Sequence, residues 1–155
     1  MLISRGTEAQ TGSIPVFPTM TFPNHPAYHV NQGLKAATVY WPGSDVPKGS
    51  WTCPKGFCKM PFNGSFPLEE RVDTILSYFD LPESKIPDFM TLYLDEPDIQ
   101  GLKYGPDDPR ITQAVANVDK MIGRVIKELK KRKVFSDVHV YYLVITEWLL
   151  IVTRG

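Results

Sequence analysis

A short apolar run that turns acidic at once constrains the fold of this chain more than any other feature. Residues Phe89–Leu94 are mostly aromatic, branched or otherwise apolar, which predicts a strand in a sheet covered on both faces. Asp95, Glu96 and Asp98 follow directly, and the prolines and glycines of residues 97–106 predict an irregular loop. In open α/β sheets, ligands bind beyond the carboxyl ends of the strands. The three acidic side chains are therefore either candidates for metal or phosphate chemistry or residues that only keep a loop in solvent.

Strands and amphipathic helices alternate on both sides of this run. Residues Ala36–Trp41 are predicted to form a strand that stops at a proline-glycine pair, and Val138–Ile145 a last strand. Apolar residues at three- and four-residue spacing predict a helix that opens at Ser65 and a longer helix that starts around Pro109. The order strand, helix, strand, helix, strand predicts an α/β fold with right-handed crossovers and a parallel sheet flanked by helices.

The charge balance gives no sign of an electrostatic partner. Seventeen basic and seventeen acidic residues leave a formal net charge of zero over 155 residues, so we expect no capture of nucleic-acid polymer or anionic membrane. The basic run 130–133 is either a favourable group of cations at a helix C-terminus or a nucleic-acid patch. The apolar residues 148–152 are too few for a bilayer span, which needs about 20.

Two cysteines and a glycosylation sequon suggest an oxidising compartment. Cys53 and Cys58 have no second Cys or His pair at zinc-finger spacing, so we predict a small disulfide loop between them. Asn63 begins an Asn-Gly-Ser sequon, which predicts glycosylation in the secretory pathway. The first residues lack the apolar stretch of a signal peptide. Either the true start lies upstream, or this form stays in the cytosol with reduced thiols.

Two further segments carry side chains suited to phosphate chemistry. Thr21 precedes Phe22 and Pro23, so it is either a helix N-cap or a nucleophile placed where a helix dipole favours an anionic phosphoryl group. The first predicted strand ends in the aromatic Trp41, and Asp45 follows after a turn, which repeats the arrangement of Tyr93 and Asp98 at the end of the strand Phe89–Leu94. Because both strands are predicted to be parallel, we expect these ends to share one edge of the sheet.

Three ordered motifs resemble the nucleotide pyrophosphatase/phosphodiesterase family of the alkaline phosphatase superfamily. They lie at Pro18–His25, at Tyr40–Asp45, and between Asn63 and Pro106, and the plant members of the family look most similar. The resemblance implies a partial alkaline-phosphatase-like domain over residues 14–145, with a loose leader at 1–13 and a divergent apolar tail at 146–155. It also implies an extracellular or secretory protein.

The resemblance implies a hydrolase of nucleotide phosphodiester or pyrophosphate bonds that uses two zinc ions. Thr21 would attack phosphorus between the two ions, which would hold its hydroxyl ionised. Thr21 and Asp98 would be metal ligands, and Asn24 would donate a hydrogen bond to a phosphate oxygen. Phe22, Trp41 and Phe62 would form the pocket that stacks a nucleobase, and Asp45 would line the same pocket.

The chain departs from the family pattern at positions where metal ligands are expected. Leu102 stands where the motif after Asp98 ends in histidine, no Asp-Gly strand end precedes Thr21, and the last strand runs into Ile145 and Thr146 instead of Ser-Asp-His-Gly. Since too few ligands remain for two zinc ions, we expect this form to be inactive.

Two alternatives to the hydrolase stay open at this point: a catalytically silent nucleotide-binding fragment, and a remnant without an independent role. The sequence also contains an internal join, because His25 leads directly into the segment Pro26–His29, which relatives carry further along. We expect altered splicing or an error in the gene model to have produced it.

Overall fold

The computed structural model of the protein describes residues 1–5, 34–44, 56–59 and 61–143, together with the backbone of residues 150–154. The described strands form one sheet in the order β3-β2-β4-β1-β5-β6. Their bounds are β1 Leu2–Arg5, β2 Ala36–Val39, β3 Cys58–Lys59, β4 Phe89–Leu92, β5 Val138–Leu143 and β6 Leu150–Arg154. The predicted α/β class is confirmed.

The sheet is mixed, whereas the alternating pattern predicted a parallel sheet. Strand β2 is parallel to both β3 and β4, as predicted. Strand β1 lies between β4 and β5 and is antiparallel to both, and β6 is antiparallel to β5. The prediction of a loose leader over residues 1–13 is therefore wrong for residues 1–5. Leu2 and Ile3 are buried on opposite faces of the sheet, but a strand of four residues is too short to show a period in the sequence.

Three helices accompany the sheet in the described residues: α1 at Leu68–Ser77, α2 at Asp98–Tyr104 and α3 at Pro109–Lys131. Helix α1 begins three residues after the predicted start at Ser65. Helix α2 replaces the predicted irregular loop. Helix α3 begins as predicted, because the Asp108 carboxylate accepts a 2.9 Å bond from the Arg110 backbone N–H and Pro109 takes the first helical position.

Helices α1 and α3 cover one face of the sheet. Alternate strand residues point to this face, as the twofold period of a strand requires. The core on this side contains Ile3, Val39, Met90, Leu92 and Val140 from the strands and Val72, Ile75, Met121, Val125 and Leu129 from the helices. The opposite face carries a smaller cluster of Leu2, Ala36 and Phe89, with Trp41, Tyr141 and Leu143 packed against it. Within the described ranges, no helix is long and apolar enough to cross a membrane.

Ion pairs hold α1, and the short 3₁₀ helix Tyr78–Asp80 that follows it, against α3. Arg124 of α3 is paired with Asp73 near the middle of α1. Arg132, just after α3, donates to both carboxylate oxygens of Asp80, at 2.8 and 2.9 Å. These contacts fix the position of α1, which lies between β3 and β4 in the chain and carries Arg71.

Candidate functional site

The carboxyl ends of β2 and β4 meet at one edge of the sheet. Val39 and Leu92 are register partners, and the backbone N–H of Tyr93 donates to the carbonyl of Val39 at 3.0 Å. Tyr40 and Tyr93 are thus the first residues beyond the two strands. The predicted convergence of these two strand ends therefore holds, and we call this edge, with Tyr40, Phe62, Tyr93 and Asp98, the rim.

Tyr40 departs from the ordinary strand pattern. Consecutive strand residues point to opposite faces, yet Val39 and Tyr40 both pack into the core on the helix side. Tyr40 has a φ of 56°, in the left-handed region that bulky residues rarely adopt. This conformation breaks the alternation and leaves Trp41 packed with the cluster on the opposite face. In the described residues, Trp41 and Phe62 consequently lie on different sides of the sheet.

Phe62 presents an exposed aromatic surface at the rim. Phe62 is 49% exposed, and two other rings pack against its ring. The ring centroid of Phe62 lies 5.8 Å from that of Tyr40 and 5.9 Å from that of Tyr93, and both pairs are edge-to-face. Edge-to-face pairs are favoured by the ring quadrupoles. One face of Phe62 is therefore supported by the protein while part of the ring stays open to a ligand.

A buried ion pair lies below this ring. Arg71 of α1 is 1% exposed, and Asp95 is 7% exposed. Two hydrogen bonds join them: Nη1 of Arg71 donates to Oδ1 of Asp95 at 3.0 Å, and Nη2 donates to Oδ2 at 3.3 Å. Two-point pairing of this kind is among the strongest hydrogen-bond arrangements available to a carboxylate. Asp95, which the sequence offered for metal or phosphate chemistry, instead neutralises Arg71.

The other two acidic residues of the segment have different surroundings. Glu96 accepts from the side-chain amide of Gln100 at 2.7 Å. Asp98 is exposed and is the first residue of α2. Partial burial, and then the negative charges of Asp95 and Asp98, raise the pKa of Tyr93. Asp98 therefore acts electrostatically on the rim, and it is the carboxylate of this segment that remains open to solvent.

The described residues do not fit a site for two zinc ions. Asp98 and Leu102 are separated by one turn of α2, and Leu102 is 79% exposed. In the part of the chain that the structure describes, no group of three or more His, Cys, Asp or Glu side chains is placed to hold a metal ion. A leucine cannot coordinate zinc, which needs nitrogen, sulfur or oxygen ligands. Asp98 is thus left with an apolar residue on the neighbouring turn.

A cavity of about 350 Å³ opens beside the rim. Its lining combines apolar side chains such as Phe62 and Leu68 with two cations and three carboxylates: Arg71, Lys120, Glu69, Asp95 and Glu96. Its size falls within the range of about 300–1,000 Å³ that is usual for small-molecule pockets. The exposed ring of Phe62 is therefore part of the wall of this cavity.

Several predicted site residues lie outside the described residues: Thr21, Phe22, Asn24, Asp45 and Cys53. Their roles stay predictions. Cys58 is the first residue of β3 and is disulfide-bonded, while its pairing with Cys53 also stays a prediction. Asn63 is exposed, and its side-chain oxygen accepts from the backbone N–H of Ser65 at 3.0 Å.

Sequence reasoning gave no site role to three residues that the structure brings to the rim: Tyr40, Arg71 and Tyr93. Tyr93 was foreseeable, because it stands at the end of a predicted strand whose next residues are acidic. Arg71 gave no such signal, since a positive charge in an amphipathic helix usually faces solvent. Its partner lies 24 residues away in the sequence.

The sheet, with helices on one face and a rim of aromatic and acidic side chains beyond two parallel strands, defines an α/β protein. The chain belongs to the type I phosphodiesterase/nucleotide pyrophosphatase family, whose family model matches residues 26–143. The predicted family is confirmed. Venom phosphodiesterase 2 of Crotalus adamanteus is 40% identical over 132 residues, which cover 85% of this chain and 15% of that protein. Ectonucleotide pyrophosphatase/phosphodiesterase family member 3 of Bos taurus is 42% identical over 112 residues, covering 72% of this chain and 12% of that protein.

Solved structures agree with the family. Murine ectonucleotide pyrophosphatase/phosphodiesterase 5, in an inactive form in complex with AMP, matches with a TM-score of 0.62 at 30% identity. The match covers 73% of this chain and 29% of the murine one. The human protein of the same name matches with a TM-score of 0.59 at 28% identity. The chain thus spans 15% or less of the length of the two curated relatives given above.

Proposed function

We propose that this chain binds a nucleotide at the rim, with the nucleobase stacked on Phe62. The observation that carries the proposal is the exposed ring of Phe62, which Tyr40 and Tyr93 support from the protein side. Aromatic rings with one open face are suited to base stacking, which contributes roughly 1–3 kcal/mol per base. Without metal contacts to the phosphate, an affinity on the order of 1 mM, about −4.1 kcal/mol, is the expectation.

The ligand class is supported by a relative. The murine family member to which this chain is similar is in complex with AMP, so a mononucleotide is the natural ligand to test. The neighbouring cavity, at about 350 Å³, offers space beside Phe62. By family resemblance, Phe22 would contribute further aromatic surface and Asp45 would line the same pocket, whereas Trp41 packs with the cluster on the opposite face of the sheet.

Hydrolysis is the activity of the family, and we propose that this chain does not carry it out. By family resemblance, Thr21 would be the nucleophile and Asn24 a donor to phosphate, with Thr21 and Asp98 among the ligands of two zinc ions. Leu102 offers no ligand on the turn after Asp98, and its side chain lies in solvent. We therefore propose binding without turnover: the chain is a phosphodiesterase-type hydrolase by descent that does not assemble the zinc site.

The proposed setting is extracellular. One relative is a venom phosphodiesterase and others carry the prefix ecto in their names. Cys58 is disulfide-bonded, and disulfides persist mainly in oxidising compartments. The sequon at Asn63 also supports this setting, because it is exposed and glycosylation acceptors lie on the surface of secreted proteins.

Calorimetry with AMP tests the binding proposal. We expect saturable binding near 1 mM for the wild type and a loss of about tenfold or more in Phe62→Ala, because one stacking ring is removed. Tyr104→Ala is the matched control, since it removes another exposed ring, on α2, that has no contact with Phe62 among the ring pairs of the described residues. Equal affinity in the wild type and Phe62→Ala would remove the basis for the proposal.

A hydrolysis assay tests the proposal that the chain does not turn over a phosphodiester. With added zinc and a nitrophenyl-thymidine ester, we expect no release of nitrophenol above the rate without protein. Turnover that a chelator abolishes and that disappears in Thr21→Ala would contradict the proposal of an incomplete site.

A further inference from the structure

Arg71 makes contacts that extend well beyond its ion pair. Its Nε donates to the carbonyl of Phe66 at 2.9 Å, and its Nη1 donates to the carbonyl of Tyr93 at 3.3 Å. Together with the two bonds to Asp95, these contacts connect three separate segments. They are helix α1, the loop that carries Phe62, and the residues that lead from β4 to Asp98.

The guanidinium group also lies against the rings of the rim. Its central carbon is 5.4 Å from the ring centroid of Tyr40 and 5.5 Å from that of Phe62. Both distances fall within the range of about 6 Å in which a cation is attracted to an aromatic face. Because Arg71 is almost fully buried, this attraction is little weakened by solvent. The guanidinium therefore contacts Phe62 in addition to the edge-to-face pairs that this ring makes with Tyr40 and Tyr93.

A lysine could not make the same set of contacts. The guanidinium is planar and presents its donors in a fixed fork, so it can bond to a carboxylate at two points, donate to two carbonyls and stack on rings at once. The ammonium group of a lysine keeps the charge but is not planar and does not present paired donors in a fixed geometry. The structure therefore uses a property specific to arginine.

We propose that Arg71 is a positioning residue that fixes the ring of Phe62 for the nucleobase and couples it to the segment that carries Asp98. The use of this position for a nucleotide rests on the proposed function. The positioning itself rests only on the contacts of Arg71. Loss of the guanidinium should free Phe62 to leave its place between Tyr40 and Tyr93, even where the fold persists.

The test places 4-fluorophenylalanine at position 62 of the full chain and records its ¹⁹F resonance. In the wild type, the rings of Tyr40 and Tyr93 should displace this resonance from its position in the unfolded chain. Arg71→Lys keeps a positive charge opposite Asp95 but removes the plane and the fork. A second variant, Arg71→Met with Asp95→Leu, removes both charges together, so that neither is left buried and unpaired. Both variants should move the resonance toward its unfolded position while the circular dichroism stays native.

An AMP titration of the same samples separates this inference from the proposed function. We expect AMP to shift the resonance in the wild type, and to bind about tenfold more weakly in both Arg71 variants. If AMP leaves the wild-type resonance unchanged but the variants still displace it, the nucleotide function fails and the positioning role stands. If the resonance of folded Arg71→Lys and of the double variant coincides with that of the wild type, the positioning role is overturned.

Discussion

Asp98 and Leu102 lie one turn apart on α2, and both side chains are exposed. Residues four positions apart share one face of a helix. The Asp98 carboxylate of the rim therefore has an apolar side chain as its neighbour on this face. In the described residues, the turn after Asp98 therefore offers no nitrogen, sulfur or oxygen ligand at position 102.

Leu102→His is expected to strengthen zinc binding. Losing even an indirect partner of a metal ligand costs roughly 10–100-fold in affinity, so gaining a direct ligand beside Asp98 should raise zinc affinity by at least about tenfold. Zinc calorimetry on the wild type and on Leu102→His measures the change. Leu102→Gln is the control, because it adds a polar side chain of similar size without an imidazole. Equal zinc affinity in all three proteins would contradict the placement of residue 102 beside a ligand.

Breaking the buried pair should be costly, and removing both members should not. Arg71→Met leaves the Asp95 carboxylate buried without its partner, so we expect the free energy of unfolding to fall by about 3–5 kcal/mol. Arg71→Met with Asp95→Leu should recover most of this loss, since no charge remains buried. Urea denaturation of the wild type, the two single variants and the double variant gives the coupling. Additive losses would show that the two side chains do not act as a pair.

The N-terminus of α3 should respond to acid. Hydrogen bonds from the side chain and the backbone of Arg110 lower the pKa of Asp108 to about 2, against about 3.9 for an unfolded aspartate. A carboxyl with a lowered pKa contributes stability above the unfolded value and loses it as the pH falls through the folded one. Asp108 should therefore contribute stability above about pH 4 and lose it between about pH 4 and pH 2.

Asp108→Asn isolates this effect. Asparagine caps a helix about as well as aspartate but has no charge to titrate. The urea midpoint of the wild type should fall more steeply than that of Asp108→Asn as the pH is lowered from 5 to 2. Asp107→Asn makes the same charge change one residue earlier and should keep the wild-type slope. A wild-type slope in Asp108→Asn would mean that Asp108 does not contribute to the acid sensitivity.

Asn63 should carry one glycan when the chain passes through a secretory pathway. The residue is exposed and begins the Asn-Gly-Ser sequence. Mass spectrometry of protein expressed in a secreting host should show a single added glycan that an amidase removes. Asn63→Gln and Ser65→Ala should both lack it, whereas Ser77→Ala, outside the sequon, should keep it. An unmodified Asn63 in secreted material would contradict the predicted modification.

The longest periodic segments were the most predictable from sequence. Helix α3 shows its apolar face over 23 residues and has a proline at its start, and β4 is a short apolar run between turn residues. From these two elements and β2, the shared edge of the sheet follows, because parallel strands end on the same side. The position of Tyr93 and Asp98 near that edge was therefore within reach of sequence reasoning.

Features that depend on tertiary contacts were not predictable. Helix α2 has only seven residues and contains a glycine. The glycines and prolines in and around it therefore predict a turn more strongly than its apolar residues predict a helix. The place of Trp41 depends on the φ of Tyr40, which no local pattern indicates. Arg71 looks like a solvent residue of an amphipathic helix until Asp95 and the rings of the rim surround it.

Mapping AMP binding by amide chemical shifts tests the central claim most directly. On titration of the ¹⁵N-labelled chain, we predict saturable shifts that centre on Phe62, Tyr93 and Asp98 and that vanish in Phe62→Ala. Amides at the far end of α3, around Leu129, should not move. Shifts that centre away from the rim, or no saturable shift at concentrations well above about 1 mM, would contradict nucleotide binding at Phe62.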